Sequence, residues 1–158
     1  MVSKMKAGGI IRNERLAKIG VMGAPDRCGL ASDVLCALSR ADTNVEFIVQ
    51  CADLEGHSHI VLCVREDRLE DAMQALGSLK TELQAGEITQ QRNVALVSVF
   101  GPDFRERPAI AASVFQALAA VGINIMAIST SISTVSCLID GGRLDDAVVS
   151  LREHFDLP

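Results

Sequence analysis

The chain repeats itself, and the repeat limits what it can fold into more than any other feature. Ala17-Lys18-Ile19-Gly20-Val21-Met22-Gly23 is echoed by Ala95-Leu96-Val97-Ser98-Val99-Phe100-Gly101. Each is a short apolar run closing on glycine, the pattern of a strand entering a turn. Ala31 to Leu38 and Ala111 to Leu118 follow. Ala31, Val34, Leu35 and Leu38 recur at i, i+3, i+4 and i+7, which predicts an amphipathic helix. Asn44 to Val49 and Asn124 to Ser129 then read as strands, as do His59 to Val64 and Thr134 to Ile139. Leu69-Glu70-Asp71-Ala72 and Leu144-Asp145-Asp146-Ala147 each open a second helix after a polar turn.

The order in each half is β-α-β-β-α, most of a ferredoxin-like βαββαβ sandwich of the α+β class, with both helices on one face of an antiparallel sheet. A fourth strand is needed. Gly86 to Gln91 can supply it in the first half, whereas the last helix of the second half runs into Phe155 and the chain closes at Pro158. Gly8-Gly9-Ile10-Ile11-Arg12 precedes the first repeat as Gly86 to Gln91 precedes the second. Either this segment crosses over to complete the second sheet, or it is a surface lead-in. The crossover reading divides the chain into a flexible tail over 1–8, a first domain over 17–92, and a second domain formed by 9–16 plus 93–158, with the first inserted within the second.

Composition excludes several functions. Of 158 residues 49% are hydrophobic, enough for a real core, but only 3% are aromatic, with no Trp or Tyr. Base stacking on single-stranded nucleic acid lacks its ring platforms, and a net charge of −5 without a Lys/Arg stripe offers nothing to a phosphate backbone. No apolar run is long enough to span a membrane, and none follows the basic opening residues as a signal peptide requires. Five irregularly spaced cysteines fit a reducing, cytoplasmic compartment better than a disulfide framework. Phosphoryl transfer has no Gly-rich phosphate cradle, and Gly141-Gly142 is only a turn. Cys51, His57, His59 and Cys63 have metal-like composition, yet their spacing matches no zinc pattern, and a hairpin carrying incidental Cys and His is expected. No catalytic constellation and no cofactor are expected.

With Gly20 to Gly29, Phe47-Ile48-Val49-Gln50, Asn124-Ile125 and Ser129-Thr130-Ser131, the sequence resembles the tandem ACT domains of aspartate kinase over residues 9 to 158. The resemblance implies a regulatory module without the ATP-dependent kinase domain. Such a module binds threonine, lysine or both in feedback control of aspartate-family (Lys/Thr/Met) biosynthesis. It also implies a partner kinase domain or subunit, and a homodimer through ACT pairing in which the first domain faces the second domain of another subunit. A degenerate module that only scaffolds a dimer is the alternative.

The implied effector site can be argued residue by residue. A free amino acid presents a carboxylate and an ammonium side by side. The helix start at Gly29, Leu30 and Ala31 offers unpaired N–H groups to the carboxylate, and Gly29 permits close approach. Asp26 can receive the ammonium or a hydroxyl, and Gln50 supplies a donor and an acceptor. Asn124 and Ile125 would close the site, with a second candidate site at Ser129 and Ser131. Each residue also has a plainer role: Asp26 as a turn or cap, Gln50 and Asn124 as solvent-facing strand ends. The sequence departs from the family at Cys28, Cys51 and His59, where Pro, Asn and Asp are common, and at Glu106-Arg107-Pro108-Ala109, where Ser-His-Pro-Gly is usual. Met126 and Ile132 stand where carboxylates are usual. Without them a desolvated lysine ammonium lacks an acidic partner, so threonine is the better expectation.

Overall fold

The computed structural model describes residues 4–102 and 104–158. The chain divides into two compact units: a contiguous one, Arg15–Asn93, and a two-segment one in which the chain up to Glu14 joins Val94–Pro158. The elements are β1 (Met5–Lys6), β2 (Gly9–Pro25), α1 (Leu30–Arg40), β3 (Phe47–Ala52), β4 (His57–Arg65), α2 (Leu69–Leu83), β5 (Glu87–Phe100), α3 (Ala109–Ala120), β6 (Ala127–Thr130), β7 (Thr134–Asp140), α4 (Leu144–His154) and β8 (Phe155–Asp156).

In the contiguous unit the strands lie in the order β3-β4-β2-β5, and Val21 pairs with Ile60 and Gln50 with Ile60 in antiparallel ladders. Ile19, Val21, Ile60, Leu62 and Val64 pack on Leu30, Val34 and Leu38 of α1 and on Leu69, Ala72, Leu76 and Leu83 of α2. In the two-segment unit the order is β2-β5-β7-β6, with Val97 opposite Cys137. Val97, Val99, Cys137 and Ile139 pack there on Ile110, Val114 and Leu118 of α3 and on Leu144, Ala147 and Leu151 of α4. Each fully buried Leu or Ile contributes about 1.5–3 kcal/mol over its exposed state. The α+β order expected from the repeat is present in both units, with four helices and antiparallel sheet pairing.

The structure corrects four details. Segments 8–12 and 17–23, expected as separate strands, run together from Gly9 as the single strand β2, and 86–91 continues from Glu87 into the next repeat as β5. Gly8 N–H donates to Phe100 O in the two-segment unit, and Gly86 N–H to Met22 O in the contiguous one. A residue in the left-handed region stands on each strand at the unit boundary, Arg15 (φ 58°) on β2 and Asn93 (φ 53°) on β5. Next, part of the expected tail is ordered: residues 1–3 lie outside the described residues, but β1 pairs in parallel with β8, and Ala7 is buried. A strand therefore does follow the last helix, held because Phe155 fills the core of this unit. Finally, Asn44 and Asn124 precede their strands, which start at Phe47 and Ala127. Both helices close with a bond from five residues on, Thr43 N–H to Leu38 O and Ile123 N–H to Leu118 O, and the chain needs the next residues to reach the sheet.

Candidate functional site

The site is built where β2 ends. Its register with β4 breaks between Val21 and Ala24, a bulge containing Gly23 at φ 67°. A bulge adds local twist and redirects the strand end, and the loop to α1 begins there. Asp26 N–H donates to Gly56 O at 2.9 Å, fixing the loop against the β3–β4 turn.

The Asp26 carboxylate accepts from Ser58 Oγ at 2.7 Å through Oδ1, and Gln50 Nε2 donates to the same hydroxyl at 3.3 Å. Ser58 is fully buried, so its hydroxyl needs both bonds. Asp26 and Gln50 are thus brought together by a residue the sequence reading missed. Strand alternation was the available signal. Ser58 shares a face with Ile60, which lies opposite Gln50. The chain of bonds engages Oδ1 and Nε2; Oδ2 of Asp26 and Oε1 of Gln50 take no part in it.

Gly29 precedes α1 at φ 90°, a conformation that favours glycine, and no side chain caps the helix. Leu30 is buried beneath this start and Ala31 is half-buried. Arg27, also missed, reaches over it: Nη2 donates to Asp33 Oδ2 at 2.7 Å and Nη1 to Cys28 O at 3.3 Å. Its Nη1 lies 3.7 Å from where a Cβ on Gly29 would stand. A guanidinium and an uncapped helix start side by side favour an anion.

On the other face of β4, His59 joins the bulge to the hairpin turn. Gly23 N–H donates to His59 Nδ1 at 3.1 Å, which places the imidazole proton on Nε2, facing Asp53 Oδ2 at 2.9 Å. Asp53 also accepts the N–H groups of His57 and Glu55. Its carboxyl is held down to about 2, first by the His57 N–H and then by the His59 side chain. Among the described residues no group of three or more His, Cys, Asp or Glu is placed to hold a metal ion. Cys63 and Cys137 are buried, and burial pushes both thiols up to about 12; Cys28, Cys36 and Cys51 are exposed.

The remaining expected site residues belong to the two-segment unit. Asn124 is exposed in the turn after α3, and Ile125 packs on that unit's core. Ser129 lies on β6 opposite Ser136, and Ser131 forms the tight turn to β7, its N–H donating to Thr134 O. In this unit Phe104 packs against Gly101, the counterpart of Gly23: a Cβ there would meet Phe104 Cε1 at 2.6 Å. A groove of about 620 Å³ between α1 and α2, lined by Ala37, Asp71, Ala75 and neighbours, contains none of the expected site residues. Among the described residues no helix is long and apolar enough to cross a membrane.

Family models of the ACT domain match residues 19–81 and 97–155. The aspartokinase of Mycobacterium tuberculosis is 34% identical over 151 residues, covering 94% of this chain and 36% of the relative. The aspartate kinase of Pseudomonas putida is 33% identical over 149 residues, with the same coverage. The chain thus spans about a third of the length of the aspartokinases it matches. A crystal structure of aspartokinase alpha and beta subunits contains a chain 31% identical, with a TM-score of 0.86 over 94% of this chain and 97% of that one. The ligand-free regulatory subunit of aspartate kinase from Thermus thermophilus is 28% identical, with a TM-score of 0.87, covering 95% of this chain and 99% of that one. Two matched domains, at these identities and with whole-chain overlap on a regulatory subunit, leave the kinase's catalytic domain outside the similarity, and the chain belongs to the ACT-domain family as a tandem pair homologous to the regulatory region of aspartate kinases.

Proposed function

We propose that this tandem pair is an amino-acid-sensing allosteric module that places an aspartate kinase catalytic domain or subunit under feedback control by products of the aspartate family, with threonine as the favoured effector and lysine second. The Asp26–Ser58–Gln50 chain of bonds beside an uncapped helix start carries the reading. The effector carboxylate lies at the Gly29–Leu30–Ala31 N–H groups near Arg27. Its ammonium meets Asp26, and its hydroxyl meets Gln50. Asn124 and Ile125 from the second domain of another copy close the site, and a homodimer through ACT pairing supplies that copy. Ser129 and Ser131 form a lesser second subsite. The module acts in the cytoplasm. Its two domains are the two compact units, the contiguous one inserted within the other.

Allostery requires the effector to bind two arrangements of the assembly with different affinity. Thermal melts with threonine, lysine and methionine test the reading. At a hundred times its Kd, a ligand specific for the native state adds about 2.7 kcal/mol of stability, a shift of a few degrees. Threonine is expected to raise Tm, and Asp26→Ala to abolish the rise while keeping the fold. Melts indifferent to all three amino acids would leave the pair as a dimerisation scaffold.

A further inference from the structure

We infer that His59 is a pH-sensitive positioning residue, an imidazole strut whose neutral form holds the Gly23 bulge and whose protonation releases it. The inference about the strut stands on geometry alone; its consequence for effector binding rests on the function proposed above.

The strut has two ends. Nδ1 accepts the Gly23 N–H at 3.1 Å, and Nε2 faces Asp53 Oδ2 at 2.9 Å. Gly23 is the bulge residue from which the Asp26 loop departs, and Asp53 organises the β3–β4 turn through the N–H groups of Glu55 and His57. Neutral imidazole is one donor and one acceptor, which suits both ends; imidazolium is a donor at both nitrogens. A proton added at Nδ1 therefore points at the Gly23 N–H. That bond is lost and two donors face each other, while the contact with ionised Asp53 becomes an ion pair. Protonation thus exchanges a hold on the bulge for a stronger hold on the turn. Histidine is the side chain suited to do this between about pH 5 and 8.

The ionisable neighbours are consistent with this. On β3, Cys51 lies in register with His59; in the turn stand Asp53 and Glu55; on β4 itself is His57, whose Nδ1 is 3.7 Å from Asp53 Oδ2. β2 presents the non-ionisable Met22 and Gly23 here, with Lys18 and Asp26 further along, and β5 begins with Glu87 beside the Gly86–Met22 bond. Asp53 is the carboxylate in direct contact, so the imidazolium is tolerated at the turn and the bulge alone loses its partner.

The test follows the Gly23 amide by NMR from about pH 8 to about pH 5.5, alongside the ring nitrogens of His59. The expected result is that the Gly23 resonance moves and its protection factor, the exchange rate corrected for the intrinsic pH dependence, falls with the same midpoint as His59. In His59→Asn, whose Oδ1 stands near the place of Nδ1 and does not titrate, the amide should stay fixed; His57→Gln should leave the response intact. His59→Gln, which keeps only the Asp53 arm, should show the released amide at every pH. A Gly23 amide that ignores the titration of His59 would overturn the strut. Threonine affinity, read from the same samples, should fall roughly three- to tenfold across this range, the loss of one hydrogen bond, and stay level in His59→Asn. Absence of threonine binding at any pH would count against the effector reading and leave the Gly23 result to decide the strut.

Discussion

Asp53 lies in an exposed turn, yet its carboxyl is held near 2 against an ordinary 3.8 by two backbone N–H groups and an imidazole. A carboxyl depressed in the folded state contributes stability that is full above its unfolded value and disappears as pH falls through its folded value. The difference in urea midpoint between the protein and Asp53→Ala is therefore expected to shrink as pH falls from about 4 to about 2. A difference that is flat over that window would mean that the turn bonds are not made in solution. Asp26, Gln50 and the Gly29 helix start were legible as candidates in the sequence because each sits at the end of a periodic element, and the structure links the first two through Ser58. Ser58 was not, because its value comes from a bond to a residue remote in sequence. Nor was the role of His59, which looked like part of an incidental Cys/His set until the strand register placed it opposite the bulge.

At the scale of elements, the helices follow their apolar spacing closely, and their ends are fixed by features that no periodicity reveals. Arg68 Nη2 donates to Asp42 O at 2.7 Å just past α1, and Arg143 Nη2 donates to Val121 O at 2.7 Å just past α3. Both arginines come immediately before the second helix of their repeat and also pair with an acid three residues on, Asp71 and Asp146. A cation at the C-terminal end of a helix is favourable, so the repeat preserves a clamp as well as an order. In the two-segment unit, Ser150 Oγ of α4 donates to Ala117 O of α3 at 2.7 Å in a buried contact. Ser150→Ala should cost about 1 kcal/mol in chemical denaturation, the net worth of one internal hydrogen bond. An unchanged midpoint would show the helix pair to be held by packing alone. The strands were the less legible elements, because a short apolar run gives no sign of whether it joins the next: β2 and β5 each absorb two runs that read separately.

The whole molecule carries two copies of one plan, and among the described residues the polar groups differ between them. Gln50 and Ser58 have Thr130 and Ser133 at the matching places, and Phe104 packs against Gly101, the counterpart of Gly23. Isothermal titration is accordingly expected to give one tight effector site per chain, with any binding at Ser129 and Ser131 much weaker. Two equal sites per chain would overturn this expectation. The fold was legible at this scale because the repeat is visible in the sequence. The differences between the copies were legible only in part, as missing carboxylates at Met126 and Ile132, since the packing of Phe104 against Gly101 depends on contacts that the sequence does not show.

The path of β2 has a consequence for synthesis. Its first residues, Gly9 to Glu14, leave the ribosome long before β5, the strand they pair with, and the whole contiguous unit is made in between. During that interval Ile10 and Ile11 wait on an unpaired edge, the kind of surface that recruits strands from other nascent chains. Arg12, Glu14 and Arg15 follow directly, and such charges flanking an apolar strand act as gatekeepers against aggregation. In the finished protein Arg12 bonds Asp145 at 2.7 Å, so a residue that guards the waiting strand ends by fastening it to α4.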